Sequence, residues 1–417
     1  MAQKEKLEKQ VHDFVLRTGS RPAARQAFGT QPLWARLRAL GTELWLDTGS
    51  HAEAAPLWTR EFGALTTNNT LLNKEVQSGQ YDALILEASR LLAEFSLPRA
   101  DQILEIGFIL NAVHGLGLVA AFDAWVSVEE HTALAHNVEE ATRYGRRYHA
   151  ICPERFIVKL PLTPAGILAT RRLSTDGIPV NHTLGFSARQ NYVIARLGRP
   201  AYVNVFLGRL NSYVADNGLG DGAYVGELAA LASQRAIRQL RESGRASTKQ
   251  IGASLRSGGQ VRDLAGLDVL TIPPKSAEQF VKLGVDAATL RPADGAGWRP
   301  GVDAQAAVAT GLATLWDVGP KVEAAVAAAE KAGVEAMTPA DLRACFARQG
   351  CGDLLVDWTP SEVQTSAAEG KIPKFTNWQD ALASGRIGLD ALMNLAGLNS
   401  FIGDQKAMDD RIVRLLG

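Results

Sequence analysis

A lysine lies inside an apolar run, Phe156-Ile157-Val158-Lys159-Leu160-Pro161-Leu162. A short continuous apolar stretch closed by proline predicts a buried parallel strand. A lysine on such a strand either snorkels to water or is held in an apolar pocket for chemistry. Burial favours the neutral form of an amine, and a neutral amine near pH 7 is the nucleophile that forms imines with ketones. Taken alone, the run is explained most simply by a strand-end lysine reaching solvent. The other residues that imine chemistry requires decide otherwise.

A protonated imine is an electron sink that lets an adjacent carbon–carbon bond break or form. A carboxylate must then move the proton of the hydroxyl beside that bond, and a second acid must handle the water lost and regained at the carbinolamine. Asp47 and Glu129 stand at the ends of predicted strands, and so do the hydrogen-bonding residues Thr66, Asn68, Asn181, Thr183 and Asn204. Arg209, and Arg256 close to Ser254, suit a phosphate dianion held by charge-assisted contacts. Each residue has a plainer explanation: Asp47 as a turn cap before Thr48-Gly49, Glu129 beside Glu130 as a first-turn acid of the next helix. The chemistry rests on their convergence at one rim.

The elements that must position them follow from periodicity. Apolar runs at 43–49, 63–67, 116–129, 156–162, 179–184, 201–207, 250–254 and 267–272 predict eight strands. Helical patterns fill most of the gaps, including 81–97, 132–148, 164–173, 188–197 and 224–243. Thr163-Pro164 is a helix start, with threonine as N-cap and proline at the first helical position. Eight strand–helix units predict an α/β fold, a (β/α)8 TIM barrel whose site lies at the C-terminal strand ends. Helices are expected before it (4–17, 31–40) and after it, among them 304–316, 320–332, 338–349, 360–369, 378–384, 388–395 and 404–416. The expected division is an N-terminal helical segment at 1–40, a catalytic barrel at 41–300, and a helical extension packed on it at 301–417.

Lysine plus arginine and aspartate plus glutamate balance at 44 each, so no global field favours nucleic acid or an anionic membrane. Three scattered cysteines give neither a disulfide framework nor a zinc site and fit a reducing cytoplasm. The charged N-terminus lacks a signal-peptide core, and no window approaches eighteen uninterrupted apolar residues, so no membrane span is expected. His131 and His136, five apart, do not share a helix face, and Asn217–Gly222 lacks dinucleotide-loop spacing and is expected to be a loop near the phosphate end. His182, alternating with Asn181 and Thr183, is expected to face away from the site. No metal or cofactor is expected, because the lysine itself supplies the electron sink. The helical tail could serve a homodimer.

Several stretches, in order, resemble the transaldolase family. Leu65-Thr66-Thr67-Asn68 is similar to its TTNP[ST] signature and Phe156–Leu160 to its Schiff-base lysine strand. Gly177–Ser187, Val205–Leu210 and Gly252–Arg256 are similar to its GI.VN.TL.FS, PFVGRI and GASFR runs. Leu44–Asp47 looks most like the longer bacterial and plant-type branch. The resemblance implies transfer of a dihydroxyacetone unit between phosphorylated sugars in the pentose phosphate pathway. Carried over, it makes Lys159 the Schiff-base nucleophile and Asp47 the acid/base for bond cleavage. Glu129 with Thr183 would hold the water of imine formation, and Asn68 and Asn181 would bind donor hydroxyls. Arg209, Arg256 and Ser254 would hold phosphate. Phe206 and Glu129 favour the transferase over the related fructose-6-phosphate aldolases. The departures are Asn69 for proline, Asn204 for serine, Gly185 inside the TLLFS run, and Leu162 after the lysine strand. They leave two alternatives: a Schiff-base aldolase with another donor or free dihydroxyacetone as product, and a non-catalytic sugar-phosphate-binding barrel.

Overall fold

Strand β1 (Glu43–Leu46) pairs on one side with β2 (Phe62–Thr66) and on the other with β8 (Val269–Ile272), which closes the sheet. Between them run β3 (Trp125–Glu129), β4 (Phe156–Pro161), β5 (Val180–Thr183), β6 (Tyr202–Phe206) and β7 (Lys249–Ala253), all parallel and in chain order. The computed structural model describes residues 2–19 and 27–417 and is a (β/α)8 TIM barrel. The N-terminal segment contains the helices Ala2–Gly19 and Pro32–Ala39; its residues 20–26 lie outside the described ones.

Strand residues alternate between two faces. Leu44, Leu46, Leu65, Val126, Val128, Phe156, Val158 and Leu160 face the helices and join the main core. The opposite residues fill the barrel: Trp45, Ala64, Ile157, Ile251 and Val269 pack together as an apolar plug. Two residues further along the same faces come Asp47, Thr66, Lys159, Ala253 and Thr271. The polar site therefore forms the layer above the plug, placed there by period-two alternation alone. His182 follows the same rule: it points outward, fully buried, with Nδ1 2.8 Å from Thr170 Oγ1.

Four sequence expectations need correction. The apolar stretch from Leu116 to Phe122 is not strand but the end of a helix, Arg99–Phe122, which stops where Asp123 turns left-handed (φ 49°). It is apolar nearly all round because it packs against β3 and the N-terminal helix. By length and composition it could cross a bilayer, but 61% of its most apolar window is buried within the protein. Leu207–Asp216 is a helix directly after β6, and Asn217–Gly222 joins it to Val225–Glu242. The segments 388–395 and 404–416 are one helix, Leu389–Leu416. Gly397 and Gly403 weaken it locally, but at Gly397 the missing side chain lets the helix come close: a Cβ there would lie 2.9 Å from Leu184 and 3.4 Å from Arg209 Nη1. The expected helix at 132–148 also proves to be a short 3-10 turn, Thr132–Leu134, followed by Val138–Ile151.

This C-terminal helix is fastened at its start by a buried charge cluster. Asp390, fully buried, accepts two hydrogen bonds from Arg189 (2.8 and 2.7 Å) and one from Ser187 Oγ (2.6 Å). Arg189 also pairs with Asp353 at 2.7 Å. Removing Asp390 leaves Arg189 with Asp353 as its one remaining carboxylate partner and strips Ser187 Oγ of its acceptor, so Asp390→Ala is expected to destabilise the protein by about 3 kcal/mol, the low end of the range for a broken buried pair. Urea unfolding followed by circular dichroism measures this, and a change of less than about 1 kcal/mol would contradict the assigned role.

Candidate active site

The mouth at the C-terminal strand ends opens into a cleft of about 660 Å³. Eleven sequence-predicted residues line it: Asp47, Thr66, Asn68, Lys159, Asn181, Thr183, Asn204, Phe206, Arg209, Ser254 and Arg256. Glu129, the twelfth, is only 3% exposed and lies behind the lysine rather than on the wall. It is at a strand end facing the barrel interior, not in the first turn of a helix.

Lys159 is 2% exposed, and its Nζ lies 3.3 Å from Glu129 Oε2 while donating a 3.0 Å hydrogen bond to the Thr67 carbonyl. The amine therefore meets a carboxylate and a carbonyl as well as the apolar flanks expected from the sequence. Burial pushes the Glu129 carboxyl above its usual range, with Lys159 opposing the shift. Burial likewise raises Asp47 to about 6, against the nearby charge of Lys159. Asp47 nevertheless keeps part of its surface open to the cleft.

A buried polar layer surrounds the amine. Thr66 Oγ1 lies 2.7 Å from Thr271 Oγ1, and Asn181 Nδ2 donates to Ser127 Oγ at 3.1 Å. Asn204 Nδ2 donates to Asn181 Oδ1 at 3.3 Å, while Gly185 packs where a Cβ would lie 2.3 Å from the Asn204 carbonyl oxygen. Asn68 caps the helix Asn69–Gln77 by accepting from Leu71 N–H at 2.8 Å, so its amide nitrogen is what remains to meet a ligand. Thr183 Oγ1 is buried without a hydrogen-bond partner. An orphaned hydroxyl in this position is a place for water or a ligand oxygen.

Arg209 is 6% exposed and its Nη1 has no hydrogen-bond partner. Burial and the neighbouring Arg256 lower its pKa to about 10, with Asp404 and Glu129 opposing. Such a guanidinium is completed by an anion. Ser254, directly after β7, is in a left-handed conformation (φ 63°) and lines the same cleft. Several lining residues were not found from the sequence: Lys74, Lys275, Lys371 and Phe401. Lys74 and Lys275 follow βα junctions, where a barrel search would look; Lys371 and Phe401 come from the C-terminal segment and carried no signal. Among the described residues, no three His, Cys, Asp or Glu side chains cluster as a metal site would require.

The family profile described as Transaldolase/Fructose-6-phosphate aldolase matches residues 44–340. A "Probable transaldolase" of Thermus thermophilus is 34% identical over 244 residues, covering 58% of this chain and 91% of its own length. A "Transaldolase" of Yersinia pseudotuberculosis is 30% identical over 223 residues, 52% of this chain and 70% of its own. A "Probable transaldolase" of Hyphomonas neptunium is 33% identical over 193 residues, 46% and 76% respectively. With the profile spanning most of the chain and the barrel carrying its polar layer at the strand ends, this protein belongs to the transaldolase/fructose-6-phosphate aldolase family of enzymes.

Proposed function

We propose that this protein is a transaldolase, moving a dihydroxyacetone unit from a ketose phosphate of the fructose 6-phosphate or sedoheptulose 7-phosphate type to an aldose phosphate. The observation that carries the reading is Lys159 Nζ, buried at the mouth 3.3 Å from Glu129 with Asp47 lining the same cleft. The amine passes a proton to Glu129, whose raised affinity for protons suits it to carry one, and adds to the ketose carbonyl carbon. The carbinolamine loses water, protonated from the Glu129 side with Thr183 Oγ1 as a hydrogen-bonding partner, and an iminium remains. Asp47 then takes the proton of the C4 hydroxyl. The C3–C4 bond breaks, its electrons pass into the iminium to give an enamine, and the shortened aldose phosphate leaves. Addition to the acceptor aldehyde reverses these steps, Asp47 returning its proton to the new hydroxyl. Asn68, Asn181 and Asn204 hold donor hydroxyls, and Arg209, Arg256 and Ser254 hold phosphate. A carbohydrate-pathway role follows from those substrates.

A second reading, an aldolase releasing free dihydroxyacetone, is favoured by the Asn204–Asn181 contact inside the donor pocket. Phe206 stands against it, because its ring brings no hydroxyl to assist protonation of the enamine carbon, the step that must precede hydrolytic release of dihydroxyacetone. Turnover that persists without an aldose acceptor would select the aldolase.

Borohydride reduction with fructose 6-phosphate is expected to leave a covalent adduct on Lys159, identified by peptide mass, and none in Lys159→Ala. No adduct with any ketose phosphate would refute the mechanism. Asp47→Asn is expected to lower kcat at least about 100-fold while the adduct still forms. The same substitution tests the burial of Asp47. Burial raises its carboxyl to about 6 from the ordinary aspartate value of 3.8. Ionising it therefore costs native stability progressively as pH rises through that window and not below it. Asp47→Asn should be more stable than wild type at pH 7.5, by on the order of 1–3 kcal/mol given its partial access to water, with the difference vanishing below about pH 4. Denaturant midpoints across pH 4–8 measure it.

A further inference from the structure

The C-terminal helix brings one aromatic ring into the mouth. Phe401 is 2% exposed and lines the cleft. Its ring centroid lies 5.8 Å from Lys159 Nζ and 5.6 Å from Arg209 Cζ, within cation–π reach of both. One ring thus adjoins the amine that would carry the ketose carbonyl carbon and the guanidinium that would carry its phosphate. A donor bound by both groups has its carbon chain running past this ring.

The ring is held in place on both sides along its helix. Before it, Asn394 Nδ2 donates to the Leu184 carbonyl at 3.0 Å, and Gly397 lets the helix close against Leu184 and Arg209. After it, Thr70 Oγ1 donates to Asp404, and Asn69 Nδ2 donates to Gln405 Oε1 at 2.7 Å. Gln405 in turn donates to Asp409 at 2.8 Å, and Asp409 lies 3.2 Å from His131 Nε2. These bonds tie the helix to the first turn of the helix after β2 and to the loops after β3 and β5, the segments that follow Thr66, Glu129 and Thr183. Asn69, which replaces the proline of the family signature, is thereby explained: a proline has no side-chain amide to anchor Gln405.

We propose that Phe401 is a specificity-determining residue whose ring is a fixed wall beside the donor, selecting ketose phosphates by the number of carbons between carbonyl and phosphate. The inference rests on the roles proposed above for Lys159 and Arg209. A wall that cannot retreat discriminates by length: with both ends of the donor held, each further hydroxymethylene must bow sideways, and the ring occupies that side. Phe401 lies outside the matched span 44–340, so the family profile assigns it nothing.

The test follows the donor half-reaction alone, with no acceptor. The full chain as wild type, Phe401→Leu and Phe401→Ala is reacted with borohydride over a concentration series of fructose 6-phosphate and of sedoheptulose 7-phosphate. Adduct at Lys159 is quantified by mass. The trapping efficiency for the seven-carbon donor relative to the six-carbon donor is expected to rise about tenfold in Phe401→Ala and by less in Phe401→Leu. An equal fall for both donors, leaving the ratio within about twofold of wild type, would overturn the proposal and leave Phe401 a packing residue. Thermal unfolding checks both variants, and the leucine variant, which keeps apolar volume, carries the comparison if the alanine variant does not fold. Absence of an adduct in wild type with either sugar would refute the proposed function instead.

Discussion

Charge held out of water organises the mouth of this barrel. Lys159, Glu129 and Arg209 are each at least 94% removed from solvent, a condition that is costly unless the charges answer one another. Lys159 and Glu129 do so directly. Arg209 has the rings of Phe206 and Phe401 across its face and only distant carboxylates, Asp404 and Glu129, in its field. The closed sheet fixes the positions of these groups, the apolar plug beneath excludes water from below, and the C-terminal helix limits access from above. A change in any of these would be felt as a change in the charges.

Much of this arrangement is legible in the sequence because a strand has period two. Ile157 and Lys159, Trp45 and Asp47, Ala64 and Thr66 are each one interior residue followed by the next. An apolar run carrying a polar residue near its end thus announces both a plug and a site. His182, between Asn181 and Thr183, could be turned outward by the same rule. What sequence does not reveal is the company a residue keeps across long separations. Nothing near Phe401 marks it as a neighbour of Lys159, because the contact depends on an uninterrupted helix whose glycines read as a break. The stretch from Leu116 to Phe122 misled for a related reason: a helix buried on most sides loses the polar face that distinguishes it from a strand.

The departures from the family signature make sense only in three dimensions. Asn69 is buried where it bonds Gln405 of the C-terminal helix. Asn204 reaches Asn181 inside the pocket, and Gly185 makes room for the backbone at 204. These substitutions do not disturb the amine or its acids. They reshape the cleft around Asn181 and attach a helix that the family profile does not include.

That helix is also the last part of the mouth to be translated. Lys159, Glu129 and Asp47 emerge early in synthesis, and the strands bearing them can pair as they appear, since domains fold as their chain is completed. The ring that covers the amine is translated long after the last strand. The ring proposed above to wall the donor is therefore the last part of the mouth that the chain supplies.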